Sequence, residues 1–259
     1  MREDKDIKIY RGYRMTYDLH THTIFSHGKG TIRDNVSAAL DRGLSKIAIT
    51  DHGPGHLTYG IKRSAVPKMR AEIEQLKKEF PEIDICLGVE ANVINKGNYL
   101  DIRPEEFSQY DIVIAGYHYG VFNGYCISNF LDKRKRKNHR ENSTDSTNVK
   151  KLRAKNTEMT VKAIYENNLK ILTHPGDKGP FDILELAKAC DQQGTLMEIS
   201  TWHANLTVEE IKTAALTGVG FIISSDAHHP SRVGDFEGGL DRAIKAGIDL
   251  ARIVNIERI

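Results

Sequence analysis

Cysteine is scarce in this chain: three among 259 residues (Cys86, Cys126 and Cys190), widely spaced, odd in number and without a C-x-x-C. That excludes a disulfide scaffold and a thiolate zinc site. An excess of charge is missing as well, since 37 Lys+Arg against 35 Asp+Glu leave +2. A globally electrostatic nucleic-acid binder is therefore not indicated. No apolar run reaches the roughly eighteen residues of a membrane span. Residues 1–17 are charged and lack an apolar core, so no signal peptide is expected and a cytoplasmic location is the default. No period repeats, which excludes a solenoid. What remains is an ordinary globular composition, 39% hydrophobic and 28% charged. The length suits one domain over 1–259, because α/β barrels of about 250 residues run as single domains. The exception is histidine, of which there are eleven.

Short runs rich in Ile and Val recur at 15–19, 46–50, 83–89, 111–115, 169–172, 195–199 and 220–224, with a further apolar run at 251–256. They read as strands buried on both faces of a parallel sheet. Helical periods lie between them at 32–40, 66–80, 157–167, 181–192, 208–216 and 240–246. Thr31 is placed to cap the first helix and Gly43 to end it. Thr207 with Glu210 forms a capping box for the 208–216 helix. A helical turn is expected at 104–107. Repeated β-then-α units predict a parallel barrel or a doubly wound sheet. The rhythm breaks at 119–156, where no apolar period is visible and residues 133–140 hold six Lys or Arg in eight. The expectation there is a long basic loop, at about 120–155, inserted after the fourth strand.

Histidines and carboxylates fall in register with the strands. His20 and His22 end the first, Asp51 and His52 the second, and Glu90 the third. His118 and His174 lie just past the fourth and fifth, Glu198 falls in the sixth, and Asp226 and His228 follow the seventh. Strand C-termini are where active sites form in such folds. In an extended strand, residues two apart share a face, so His20 and His22 can reach one ion, and Asp226 with His228 repeats the pattern. Imidazole with carboxylate and no thiolate suits Zn, Mn or Fe(II). His27 adds a nitrogen from the first loop. Seven histidines and two carboxylates suffice for three divalent ions if one carboxylate bridges. His56 and His203 are placed to line a pocket, while His139 and His229 read as solvated. Asp18, two before His20, is expected to orient it. The cysteines read as packing residues.

The segments D-L-H-T-H-T (18–23), I-T-D-H-G (49–53), G-V-E-A-N (88–92), A-G-Y-H (115–118), T-H-P-G (173–176), M-E-I (197–199) and S-D-A-H (225–228) together resemble the PHP (polymerase and histidinol phosphatase) family. Within it, they are similar to stand-alone metal-dependent phosphoesterases of the YcdX type. The resemblance spans about residues 15–255. It implies a distorted (β/α)7 barrel, TIM-barrel-like, with a trinuclear centre of three divalent transition-metal ions, zinc first with manganese or iron as alternatives. Carried across motif by motif, His20 and His22 with Asp226 would hold the first ion. Glu90 would bridge it to a second held by His118 and His174, and His27, His52 and His228 would hold the third. At position 27 family members often carry Asp.

The expected function is hydrolysis of a small metabolite's phosphate monoester by a metal-activated water, histidinol phosphate being one candidate substrate. Asp226 is expected to double as a catalytic proton shuttle. Lys62, Arg63, Lys178 and Arg232, on loops of the same face, are candidates to contact phosphate or leaving group. One alternative is a nuclease or nucleotide phosphodiesterase using the basic run as a strand-tracking patch. A second is a non-catalytic, metal-stabilised module.

Overall fold

A computed structural model describes residues 7–138 and 147–259. The strands are β1 (Tyr13–Met15), β2 (Tyr17–Thr21), β3 (Lys46–Ile49), β4 (Asp84–Asn92), β5 (Ile112–Gly116), β6 (Ile171–Leu172), β7 (Leu196–Ser200), β8 (Phe221–Ser224) and β9 (Ile256–Arg258). The α-helices are α1 (Ile32–Asp41), α2 (Val66–Glu79), α3 (Cys126–Asn138), α4 (Thr147–Glu166), α5 (Ile183–Gln193), α6 (Val208–Ala214) and α7 (Glu237–Ala246). Strands β2 to β8 pair in sequence order, each parallel to the next. The two edges meet where His22 N donates to Ala227 O at 2.8 Å and Thr21 bridges Ala227. The result is a nearly closed seven-stranded parallel barrel wrapped by helices. The run expected as one strand at 15–19 changes partner at Thr16: β1 joins β9 in a two-stranded antiparallel ribbon, and β2 enters the barrel.

Alternation along each strand sorts the side chains. Leu19, Ala48, Cys86, Ile114, Ile171 and Ile222 point inward and form a small apolar plug, one residue from each of six strands. Their neighbours Ile47, Ile49, Ile85, Leu87, Val89, Met197 and Ile223 point outward to meet Val36, Met69, Ile73, Leu186 and Leu240 of the helices in the larger core. Each such aliphatic, fully buried, contributes about 1.5–3 kcal/mol. The helix ends follow local chemistry. Thr31 caps α1 in a box with Asp34, Gly43 ends that turn at φ +72, and Thr207 with Glu210 forms the expected box on α6.

The stretch expected as a long basic loop is mostly helical. α3 runs through Asn138 and α4 starts at Thr147, ten residues before the expected 157. The α4 period was disguised because Asn156, Thr157 and Thr160 occupy buried positions between Val149, Leu152, Met159 and Ala163. Asn156 makes its burial acceptable through a reciprocal pair with Asn129 of α3, at 3.0 and 2.8 Å. His139 and Arg140, the end of the basic run, lie outside the described residues.

Candidate metal centre

Parity along β2 would turn His20 away from the barrel axis, and a β-bulge prevents it. Asp18 pairs with Ile47, but Thr21 rather than His20 pairs with Ile49. One extra residue is absorbed, so His20 and His22 follow Leu19 into the barrel. Asp18 accepts hydrogen bonds from the backbone N of His20, Ser225 and Gly234, stitching the bulge to the opposite edge. It does not touch the His20 ring, contrary to expectation. That ring is oriented by Glu198, whose Oε1 lies 2.7 Å from Nδ1.

Glu90 lies within β4, on the inward face shared with Cys86, and is fully buried. Its Oε1 is 2.9 Å from His174 Nε2 and 3.3 Å from His118 Nε2. Its Oε2 is 2.9 Å from His52 Nδ1 and 3.4 Å from His20 Nε2, yet makes no hydrogen bond of proper geometry. His20 Nε2 faces His22 Nε2 at 3.1 Å, and His118 Nε2 faces His174 Nε2 at 3.2 Å. Asp226 Oδ1 lies 3.2 Å from His22 Nε2. The ligand atoms of His20, His22 and Asp226 fall within 4.8 Å of one another, as do those of His22, His52 and His228, and of His52, Glu90 and His118. The His27 ring centroid lies 4.2 Å from that of His228 and 4.9 Å from that of His52, and its Nδ1 is buried without a hydrogen-bond partner. All nine expected residues therefore come together. Asp226 and His174 do so with φ of +51 and +26, a left-handed backbone unusual for non-glycine residues and a recurrent feature of functional sites.

These residues fit divalent transition ions. The donors are imidazole nitrogen and carboxylate oxygen, the set expected for such metals in the absence of thiolate. Among the described residues neither Glu90 nor Asp226 has a Lys or Arg partner, only histidines. Two buried carboxylates without a Lys or Arg partner carry a heavy desolvation cost. Burial pushes His22 and His228 below their ordinary value and His118 down to about 3, keeping these rings neutral and able to donate lone pairs. His20 goes the other way: burial disfavours its cation, but Glu90, Asp226 and Glu198 outweigh that and raise it well above the ordinary value. The cluster asks for positive charge at the very point where nitrogens and oxygens converge.

Supporting residues were harder to foresee. His118 Nδ1 meets Asn92 Oδ1 at 2.8 Å, and Asp101 accepts from the Asn92 backbone and side chain at 2.7 and 2.6 Å. Together with Glu198 on His20, these contacts fix ring orientation and tautomer, leaving Nε2 for the centre. Asn92 stands two residues after Glu90, and strand parity alone would have placed it on the same face. Thr173 Oγ1 donates to Glu90 Oε1 at 2.7 Å. Asp51 is not aimed at the centre; it accepts from Thr23 N at 2.7 Å and Thr23 Oγ1 at 2.6 Å, shaping the loop that carries His27.

The cluster floors a cavity of about 720 Å³. His56 and His203 line it, as expected, and His203 Nε2 lies 3.3 Å from Asp226 Oδ2. Of the four cations expected to face it, Lys178 does. Lys62 lies outside the lining, Arg63 is committed to Glu106 at 2.6 Å, and Arg232 is stacked 4.2 Å over the Trp202 ring. Lys29, not foreseen, supplies a second cation at the rim.

A sequence profile of the PHP domain matches residues 18–202. The chain belongs to the PHP family. A probable phosphatase of Thermoanaerobacter sp. (strain X514) is 30% identical over 259 residues, covering 94% of this chain and 91% of that protein. The probable phosphatase YcdX of Shigella flexneri is 28% identical, covering 92% and 89%. Among solved structures, histidinol phosphate phosphatase from Lactococcus lactis, complexed with zinc, L-histidinol and phosphate, superposes with a TM-score of 0.59 at 18% identity, covering 91% of this chain and 95% of that one. This likeness supports the PHP-type, TIM-barrel-like fold. Among the described residues no helix is long and apolar enough to cross a membrane.

Proposed function

We propose that this PHP protein is a metal-dependent phosphoesterase that hydrolyses a phosphate monoester of a small molecule. The observation that carries the reading is the convergence of imidazole Nε2 atoms on buried Glu90 and Asp226, under a cavity large enough for a substrate. His20, His22 and Asp226 would hold one ion, and Glu90 would be shared with a second held by His118 and His174. His27, His52 and His228 would hold a third. Bound divalent ions supply Lewis acidity, lowering the pKa of water and offsetting charge on phosphoryl oxygens. The chain's own residues do the rest. Glu198 and Asn92 hold two of the rings in place, and Lys29, with Lys178 beside Asp177, would draw an anion to the mouth. Asp226 Oδ2, facing His203 Nε2 at 3.3 Å, would carry a proton between the centre and the leaving group. The names of the curated relatives and of the Lactococcus enzyme support the same reaction class.

The test is phosphate release from sugar phosphates, histidinol phosphate, nucleotides and short oligonucleotides, repeated with Zn, Mn and Fe(II), alongside elemental analysis. Between two and three equivalents of metal and turnover of monoesters are expected. Less than one equivalent after reconstitution would remove the trinuclear centre, and oligonucleotide cleavage without monoester turnover would replace phosphatase by nuclease.

A further inference from the structure

The helix that follows β5 is turned inside out. Ile127, Phe130 and Leu131 of α3 stand at i, i+3 and i+4, the spacing of one helical stripe. On a helix packed against a barrel, an apolar stripe belongs on the core side. Here it is exposed, Ile127 to 78%, while Asn129 on the opposite side is fully buried and bonded to Asn156 and to the Tyr117 hydroxyl. Single exposed aliphatics are ordinary, but a whole stripe marks an interaction surface. Two neighbouring loops add to it. Phe122, just before α3, is 70% exposed. Leu57, from the loop after β3, is exposed too, and its backbone N donates at 2.9 Å to the carbonyl of Gly120, two residues before Phe122.

Positive charge is concentrated on the same pair of helices. Residues 133–137 of α3 are five consecutive Lys or Arg, and α4 brings Lys150, Lys151, Arg153 and Lys155 before its first acid, Glu158. Against these nine cations stands Asp132 of α3, giving +8 in a chain whose total is +2, so the remaining residues sum to −6. Lys151 and Lys155 line a groove of about 390 Å³ between the helices, together with Tyr125, Leu131 and Leu152. Whatever covers this face must accept aliphatic side chains and positive charge together. A second copy on a two-fold axis through the stripe would set +8 against +8. A nucleic-acid strand would take the charge, but strand-tracking grooves rely on stacked aromatics, and the most exposed side chain of this patch is Ile127. The surface of an anionic bilayer takes both, since Phe, Ile and Leu enter the boundary between headgroups and acyl chains while Lys and Arg meet the lipid anions.

We propose that α3, with the first turns of α4, is a peripheral docking surface for an anionic lipid membrane. The attachment is interfacial and reversible, with no segment crossing the bilayer. It is independent of the reaction the metal centre performs. Tyr119 and Gly120, just before Phe122, line the cavity over that centre, so docking sets the cavity mouth beside the lipid surface.

The test is co-sedimentation of the full-length, metal-loaded protein with vesicles of phosphatidylcholine, alone or with phosphatidylserine at about 30% of the lipid. Binding is expected to the anionic vesicles only, weakening as salt rises from about 0.1 M to about 0.5 M. Ile127→Ser combined with Phe130→Ser should lower the partition coefficient about tenfold or more, because these side chains supply the inserted apolar area. Lys151→Glu combined with Lys155→Glu should lower it about tenfold as well. All four side chains are exposed, so both variants should melt within about 2 °C of wild type; should the apolar pair destabilise the fold, Ile127→Ser alone serves in its place. Equal binding to both vesicle types, binding to neither, or an unchanged partition in the apolar variant would overturn the proposal. A dimer in sedimentation velocity that Ile127→Ser abolishes, without vesicle binding, would give the face to a second copy. Tight binding of a short RNA that Ile127→Ser leaves unchanged, again without vesicle binding, would give it to nucleic acid, and either result overturns the membrane assignment.

Discussion

Gly116 carries no functional group, yet replacing it should damage the centre as much as losing a ligand. It ends β5 on the inward face, two residues before His118. A Cβ there would overlap Thr173 Oγ1 and lie 2.9 Å from His174 Cε1 and 3.0 Å from Glu90 Oε1. Backbone on both strands of this barrel leaves little room to yield, so Gly116→Ala must push Thr173 off Glu90 and turn His174. Overpacking of a tight core costs about 1–3 kcal/mol. Losing the Thr173 hydrogen bond to a buried charged acceptor costs about 1.5–3 kcal/mol more. Since the two overlap, about 3–4 kcal/mol is expected, or roughly 6–16 °C in Tm for a chain of this size. The assay is a thermal melt with elemental analysis of the same preparation, which should show reduced metal as well. Gly238→Ala in α7 is the control, because its methyl meets only Thr201, 3.6 Å away, and helix propensity favours Ala by up to about 1 kcal/mol. A Gly116→Ala protein melting within about 2 °C of wild type with full metal would refute the packing argument.

Glu90→Gln should cost more phosphatase rate and bound metal than any single His→Ala if, as proposed, this carboxylate is shared by two ions; wild-type rate would remove Glu90 from the centre. Glu198→Ala, which frees the His20 ring, should weaken metal binding about 10–100-fold in a chelator competition, and unchanged affinity would assign Glu198 to packing only. Arg63, then the Arg103 side chain and backbone N, hold the Glu106 carboxyl down to about 2 against the opposing effect of burial. A depressed carboxyl stabilises the fold above its unfolded value near 4.5, and that stability is lost as pH falls through about 2. Discounted for the half-exposed Arg63, Glu106→Gln should lower stability by about 1–2 kcal/mol at pH 7 and by almost nothing near pH 2; a pH-independent difference in denaturant melts would refute the linkage. Changing Lys133, Arg134, Lys135, Arg136 and Lys137 together to Ala should leave small-phosphate kinetics nearly intact, whereas selective collapse of oligonucleotide cleavage with its salt dependence would favour a nuclease.

The barrel and its metal-ligand candidates were legible because both follow simple periods. β-branched runs fixed β3 to β8 to within a few residues, and strand C-termini carried the histidines. What escaped had its cause in three dimensions. α4 hid because Asn156 and Thr157 face inward, and Asn156 is tolerated through Asn129, 27 residues away in sequence. Asp18 is expected to orient His20 because it is near in sequence, whereas Glu198, which meets the ring in the structure, arrives 178 residues later by way of barrel closure. Arg63 and Arg232 looked free for phosphate, and only packing reveals Glu106 and Trp202 as their partners.

The bulge in β2 makes the centre a matter of counting. Along that strand the inward set is decided by whether the number of residues between Asp18 and the partner of Ile49 is odd or even. Removing Thr21 would restore plain alternation after Leu19 and turn His20 opposite Ile49, into the layer now filled by Ile47 and Ile49. The architecture would survive and its chemistry would not. Insertions and deletions, more than substitutions, are therefore the changes by which a barrel of this kind gains or loses a reactive interior in one step.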